Sequence, residues 1–283
     1  FLQPGISWSP DSKKIVIAAK AGATDALYLI DVETEKQEKI PFKLDGVFTA
    51  SWSPDGENLA FVGNEGGASD IYVYHMPSKE LNNITDDIYS DTEPSWSPDG
   101  KKIAFISDRG NQNNRKNTTA KDMIDHSYDE RNVYTIDVAS SEIAQITNTD
   151  YNENYPIFSN TENVIFYTGD YNGTWNLFRQ DLDSGESTVV TNLLTGLFQL
   201  SLTKDDGSMV FSGYSGLGWD VYRVSNPLDL NRTQVAPTNF ILNRDENDKE
   251  ELPGSQEELE LHMQLTYKQS IEIAEEQAIN VLF

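Results

Sequence analysis

Two acidic, tyrosine-bearing stretches carry the side chains best suited to recognition: DDIYSDTEP at 86–94 and TNTDYNENYP at 147–156. They supply Asp86, Asp87, Tyr89, Asp91, Glu93, Asp150, Tyr151, Glu153 and Tyr155. Carboxylates interleaved with tyrosine suit a basic or polar peptide, because each Tyr offers contact area at low entropic cost. A polar stretch between them, GNQNNRKNTTAKDMIDHSYDE at 110–130, adds Arg115, Lys116 and Lys121. Long exposed loops on rigid scaffolds are frequent sites of function. These residues form the candidate partner-binding set.

Catalytic chemistry is poorly supplied. His75, His126 and His262 fall far apart with no metal-site spacing, and no HExxH occurs. SGYSGLG at 212–218 fails the G-x-S-x-G pattern of a nucleophile elbow and lacks its strand–turn–helix context. DYNGT at 170–174 offers alternating oxygen ligands but not the sixth-position Gly or distal Glu of a calcium loop, so it reads as a hairpin turn. The chain has no cysteine, which excludes disulfides, cysteine-ligated metals and thiol nucleophiles. No catalytic residue, metal ligand or cofactor is therefore expected.

The wider composition agrees. Among 283 residues, 46 are acidic and 21 basic, a formal net charge of -25. Phosphate binding needs clustered Lys and Arg, so nucleic acid and anionic membrane surfaces are poor partners. No apolar run approaches the ~20 residues needed to span a bilayer. With 11% aromatic residues the chain is rich enough to fold around a sizeable core. It opens at Phe1 rather than Met, so a piece of a longer protein is expected.

A repeat must position the candidate residues. SWSPDS at 7–12 recurs as SWSPDG at 51–56 and at 95–100, with Trp8, Trp52 and Trp96 spaced 44 residues apart. Degenerate copies follow around Phe158 and Leu202, after steps of 62 and 44. A second marker keeps the same rhythm: Tyr28, Tyr72, Tyr134, Phe178 and Tyr222. Both place one 18-residue insertion in the third copy. Each unit reads as four short strands. The first ends in Trp, a Pro-Asp-Gly turn follows, and the second strand is almost wholly apolar, as suits burial on both faces. About 44 residues with four strands is a propeller blade. The sequence therefore predicts an all-β protein, a β-propeller of four-stranded blades. Five repeats are visible, the fifth closing with a weak strand at 233–236, and six or seven are expected in the full protein. The propeller should span 1–242. Residues 243–283 read as an acidic linker and a short C-terminal helix, opened by a capping box at Ser255 and Glu258.

SWSPDGKKIAFISDRG resembles the repeat of TolB-like propellers, periplasmic relatives of WD-repeat blades, and the likeness covers about 230 residues. FKLDGVFTASWSPDGENLAFVG and TNLLTGLFQLSLTKDDGSMVFSGYSGLGWDVY are similar to segments of large envelope proteins in which such a propeller lies between other domains. The resemblance implies a periplasmic or cell-envelope scaffold that binds a protein or peptide partner and has no catalytic residue of its own. Two other roles are open: the gating propeller of a larger peptidase, and a carbohydrate- or ligand-binding propeller.

Overall fold

The computed structural model describes residues 6–22, 24–110, 126, 128, 130–215, 218–239 and 241–242. The chain divides into two compact units, Phe1–Ala236 and Pro237–Phe283. The expected tail helix and its capping box lie outside the described residues.

The first unit consists of five antiparallel sheets. Blade one holds β1 (Ile6–Trp8), β2 (Lys14–Ala21), β3 (Thr24–Asp31) and β4 (Gln37–Pro41). Blade two holds β5 (Gly46–Trp52), β6 (Asn58–Glu65), β7 (Ala68–His75) and β8 (Glu80–Asn83). Blade three holds β9 (Asp91–Trp96), β10 (Lys102–Ser107), β11 (Asn132–Asp137) and β12 (Ile143–Gln145). Blade four holds β13 (Glu153–Phe158), β14 (Val164–Gly169), β15 (Asn176–Asp181) and β16 (Ser187–Val189). Blade five holds β17 (Leu197–Leu202), β18 (Ser208–Ser215) and β19 (Gly218–Ser225). Within each sheet the strands pair in sequence order. The molecule is the all-β propeller that the repeat predicts.

The conserved rhythm of the turns has a hydrogen-bond cause. Ser53 Oγ donates to Asp55 Oδ1 (2.5 Å) and accepts from Asn58 N (2.9 Å), closing the loop between β5 and β6. Ser9 with Asp11, Ser97 with Asp99 and Thr203 with Asp205 repeat the arrangement. Gly56 and Gly100 take the left-handed position (φ 77° and 71°), where a Cβ would be strained. Blade four lacks the turn aspartate. Asp206, from the neighbouring turn, replaces it: its carboxylate accepts from Ser159 Oγ (2.7 Å), Thr161 N (2.9 Å) and Thr161 Oγ1 (2.6 Å).

The core is four blade-to-blade interfaces. Leu27 and Leu29 pack on Trp52 and Phe61, and Ile71 and Val73 on Trp96, Phe105 and Tyr134. Val133 then packs on Phe158, Ile165 and Tyr167, and Leu177 on Leu197 and Met209. Each fully buried side chain of this size contributes about 1.5–3 kcal/mol. The second strands are apolar because alternate residues meet different blades: Ala104 and Ile106 face blade four, Ile103 and Phe105 blade two.

Between blades five and one this packing stops. Val221 occupies the position of Leu27, Ile71, Val133 and Leu177, which are at most 1% exposed, yet it is 80% exposed. Trp8 is 53% exposed where Trp52 and Trp96 are 8%. Lys204 Nζ bridges to Pro10 O at 2.8 Å, joining the two turns.

Blade five differs from expectation in one respect: residues 233–236 do not form its fourth strand. Asn226 (φ 49°) and the 3-10 turn Pro227–Asp229 redirect the chain toward blade four. Arg179 Nη1 pins it there by donating to Leu228 O (2.6 Å), and Thr233 N donates to Val189 O (3.0 Å) beside β16. Asn172 Nδ2 donates to Ala236 O (3.3 Å).

Candidate functional site

The inner strands β1, β5, β9, β13 and β17 enclose a cavity of about 540 Å3 along the propeller axis. In blades two to five the ladder between first and second strand slips at one place. The inner strand there carries a non-glycine residue in the left-handed region: Thr49 (φ 31°), Glu93 (57°), Tyr155 (54°) and Gln199 (59°). A bulge of this kind re-aims a side chain, and all four residues line the cavity. Their spacing is that of the repeat, 44, 62 and 44 residues, and the corresponding residue of blade one is Gly5. A non-glycine residue in this region costs on the order of 1 kcal/mol. Ser7, Ser51, Ser95 and Ser201 line the cavity two residues further along.

Glu93 is the one carboxylate among the lining residues, which include no lysine or arginine. Burial pushes its carboxyl up to about 7, opposed by Tyr155 N, which donates to Glu93 Oε2 at 2.5 Å, and by the charge of Arg131. The cavity thus carries one carboxyl group together with the polar side chains of Ser7, Thr49, Ser51, Ser95, Gln199 and Ser201.

The other expected binding residues separate into two groups. Asp86 and Asp150 are exposed. Asp87, Tyr89, Asp91 and Glu153 are not available at a surface. Arg109, fully buried, donates from Nη2 to both oxygens of Asp91 (2.6 and 2.7 Å) and from Nη1 to Asp87 Oδ2 (2.8 Å). Its guanidinium also lies 5.3–5.5 Å from the ring centres of Tyr89, Phe105 and Tyr134. Burial alone would lower the Arg109 pKa, but Asp91 and Asp87 overcome this and hold it above its ordinary value. Asp70, Asp87 and Asp91 bring carboxylate atoms within 4.8 Å of one another, as metal ligands would; here the positive charge is the arginine's. Glu153 is enclosed between blades three and four, accepting from Thr147 Oγ1, Val133 N (3.0 Å) and Thr149 Oγ1 (3.2 Å). Burial raises it to about 7. Tyr151 is half-buried, stacked on Phe178.

The residues expected on one acidic, tyrosine-bearing face thus divide, among the described residues, into buried and exposed members. Asp87, Asp91 and Glu153 fasten loops, whereas among the described residues Asp86 and Asp150 face solvent and Glu93 and Tyr155 line the cavity. Arg115, Lys116 and Lys121 lie outside the described residues. Thr49, Gln199 and Arg109 escaped the sequence reading. The first two share the spacing of Glu93 and Tyr155, and that was the available signal. The described histidines stay apart: His75 Nδ1 contacts Ser78 Oγ (2.6 Å), and His126 Nε2 lies 3.7 Å from Asp108 Oδ2.

Five sheets around an axial cavity of mixed polar and apolar lining define the class: a β-propeller. Residues 2–123, less than half of the chain, match the family model of the PD40 TolB beta propeller domain, and this part of the molecule is similar to that family. Comparison with curated proteins finds no match. Putative TolB from Agrobacterium tumefaciens shares 18% identity and a TM-score of 0.63, over 78% of this chain and 76% of that one. TolB from Acinetobacter baumannii shares 22% identity and a TM-score of 0.61, over 78% and 51%. A puromycin-hydrolyzing peptidase of Mycobacterium tuberculosis shares 15% identity and a TM-score of 0.57, over 78% and 35%. The chain thus spans about half of the second protein and about a third of the peptidase, and these likenesses concern the fold.

Proposed function

We propose that this propeller is a non-catalytic interaction module of the bacterial cell envelope that takes a basic or polar peptide of a partner protein at the mouth of its channel. One observation carries the reading. Four blades each hold a polar side chain, Thr49, Glu93, Tyr155 or Gln199, in a backbone conformation that glycine would adopt more cheaply. Glu93 Oε2 accepts from Tyr155 N (2.5 Å) and Gln199 Oε1 from Ser212 Oγ (2.8 Å), so the same side chains that brace the inner strands also line the channel, where a ligand would meet them. Glu93 supplies the charge, Tyr155 the contact area, and Asp86 and Asp150 add exposed negative charge outside the channel. The resemblance to TolB-like propellers supports the envelope setting and the non-catalytic role.

The test is recovery of envelope partners by the wild type and by Glu93→Lys and Asp86→Lys/Asp150→Lys variants. Each charge reversal should reduce recovery at least tenfold while leaving the thermal transition of the Asp86/Asp150 variant unchanged. Recovery equal to wild type in both would dismiss the channel mouth as the partner site. Glycan binding that ignores both changes would instead favour the carbohydrate-binding role.

A further inference from the structure

The outer edges of four blades are short: β4 has five residues, β8 four, and β12 and β16 three each. Among the described residues blade five instead ends on β19, eight residues long, because the chain after it departs to blade four. Proteins blunt such edges with lysine, proline, bulges or short strands, since an unpaired edge is a template for another strand. β19 has no Lys or Pro, and its pairing with β18 is free of register shifts from Ser208↔Ser225 to Ser215↔Gly218. Its side chains are exposed almost throughout, Trp219 63% and Val221 80%.

The parity of the free groups is set by the repeat. In blade four, Val190 N donates to Leu177 O and Asp181 N to Glu186 O (both 2.9 Å), so Leu177 and Asp181 turn their backbone toward the outer strand. The equivalents 44 residues later are Val221 and Ser225. On the opposite side Asn226 N donates to Gly207 O (3.0 Å), across to the end of the β18 strand. The odd-numbered residues Trp219, Val221 and Ser225, with Arg223 between them, therefore present N–H and C=O to the open edge.

We propose that β19 pairs antiparallel with β19 of a second copy of this chain, about a twofold axis at Val221. A twofold perpendicular to a sheet keeps each side chain on its own face, so only registers in which a residue meets one of the same parity are allowed. Centring on Val221 satisfies this and joins outward-facing groups to outward-facing groups. Trp219 then lies opposite Arg223 of the second copy, whose guanidinium donates to Ser208 Oγ on β18 (3.0 and 2.7 Å) and leaves its alkyl stem to pack against the indole, a contact made twice. Val221 meets Val221, and Asp220 meets Tyr222. Two three-stranded sheets become one six-stranded sheet. This inference is independent of the channel and goes beyond the proposed function.

The measurement is solution mass by light scattering over a dilution series, with a value twice 31.8 kDa expected at the concentrated end. Val221→Pro removes an N–H that the β18 ladder does not use, so it should give a folded monomer with a single thermal transition. Val221→Cys provides a second readout, because the chain has no native cysteine. Cα atoms of a hydrogen-bonded antiparallel pair lie ~5.5 Å apart, within disulfide reach, so oxidation should link the copies covalently, while Ser225→Cys should not. A wild type that remains monomeric throughout overturns the proposal and leaves the edge to a strand of another protein or to a further blade. A dimer that survives Val221→Pro, or that fails to cross-link through Val221→Cys, overturns it as well.

Discussion

At the residue scale, the carboxylates of this propeller follow three different physical rules. The turn aspartates Asp11, Asp55, Asp99 and Asp205 are held below their ordinary value, and three of them owe this first to the hydroxyl of the Ser or Thr that opens the turn; for Asp55 burial opposes the hydrogen bonds. Asp206 is likewise lowered, its bonds to Thr161, Asn160 and Ser159 outweighing burial. Its stability contribution is present above the unfolded value and is lost as pH falls through the lower folded one. Asp206→Ala should therefore cost about 2–3 kcal/mol at pH 7 by urea denaturation, and less at acid pH. Glu93 obeys the opposite sign. Its folded value of about 7 exceeds the ordinary 4.5, so its burial is tolerated best below pH 4.5 and becomes costly as pH rises toward 7. Glu93→Gln should raise the melting temperature at pH 8 and leave it unchanged at pH 4.5. Partner binding by the wild type should strengthen over the same rise, as the carboxylate ionises, and the Gln variant should show no such slope. Arg109 belongs to the third rule, a buried charge that stays because it is fully paired: Arg109→Met should cost about 3–5 kcal/mol by exposing Asp87 and Asp91 to burial without a counter-charge.

At the scale of elements, the inner-strand bulge and the Pro-Asp-Gly turn both use left-handed backbone but for different ends. In the turn, the conformation serves chain reversal alone, and Ser12 (φ 60°) stands where its relatives have Gly56 and Gly100. Ser12→Gly should stabilise by about 0.5–1 kcal/mol in a denaturant titration. In the bulge, the same relief should come at the expense of binding. Gln199→Gly should match or exceed the wild type in thermal stability and yet recover less partner; a variant that binds as well as the wild type would show the side chain to be incidental. The repeat made these elements legible. Two markers at one spacing located nearly every strand, and the apolar second strands announced burial on both faces. The bulges were not legible, because a positive φ at Thr, Glu, Tyr or Gln leaves no mark in residue type. The fate of residues 233–236 was equally hidden: whether they pair with β19 or pass to β16 depends on Arg179 reaching Leu228 O, a contact 49 residues long.

For the whole molecule, the interfaces repeat four times and then stop. Trp96 ties its blade to the preceding one through an indole N–H to Ser51 O (3.1 Å), while Trp8, at the same place in the repeat, is half exposed. Trp8→Lys should change stability by no more than about 0.5 kcal/mol, whereas Trp96→Lys should cost about 3–5 kcal/mol or abolish folding. Equal losses at both positions in equilibrium unfolding would mean that the gap between blades five and one is covered in solution.

The sequence by itself determined the class of fold, the count of visible blades, the place of the insertion and the residue types available for recognition. All of these are local or periodic, and periodicity survives in one dimension. Only the tertiary structure decided which carboxylates are buried as fasteners and which reach the channel or the surface. Asp87, Asp91 and Glu93 lie within seven residues of one another, but two face a buried guanidinium and the third faces the channel. Burial is a property of what the rest of the chain packs around a group, and the free energy of ionising it changes accordingly.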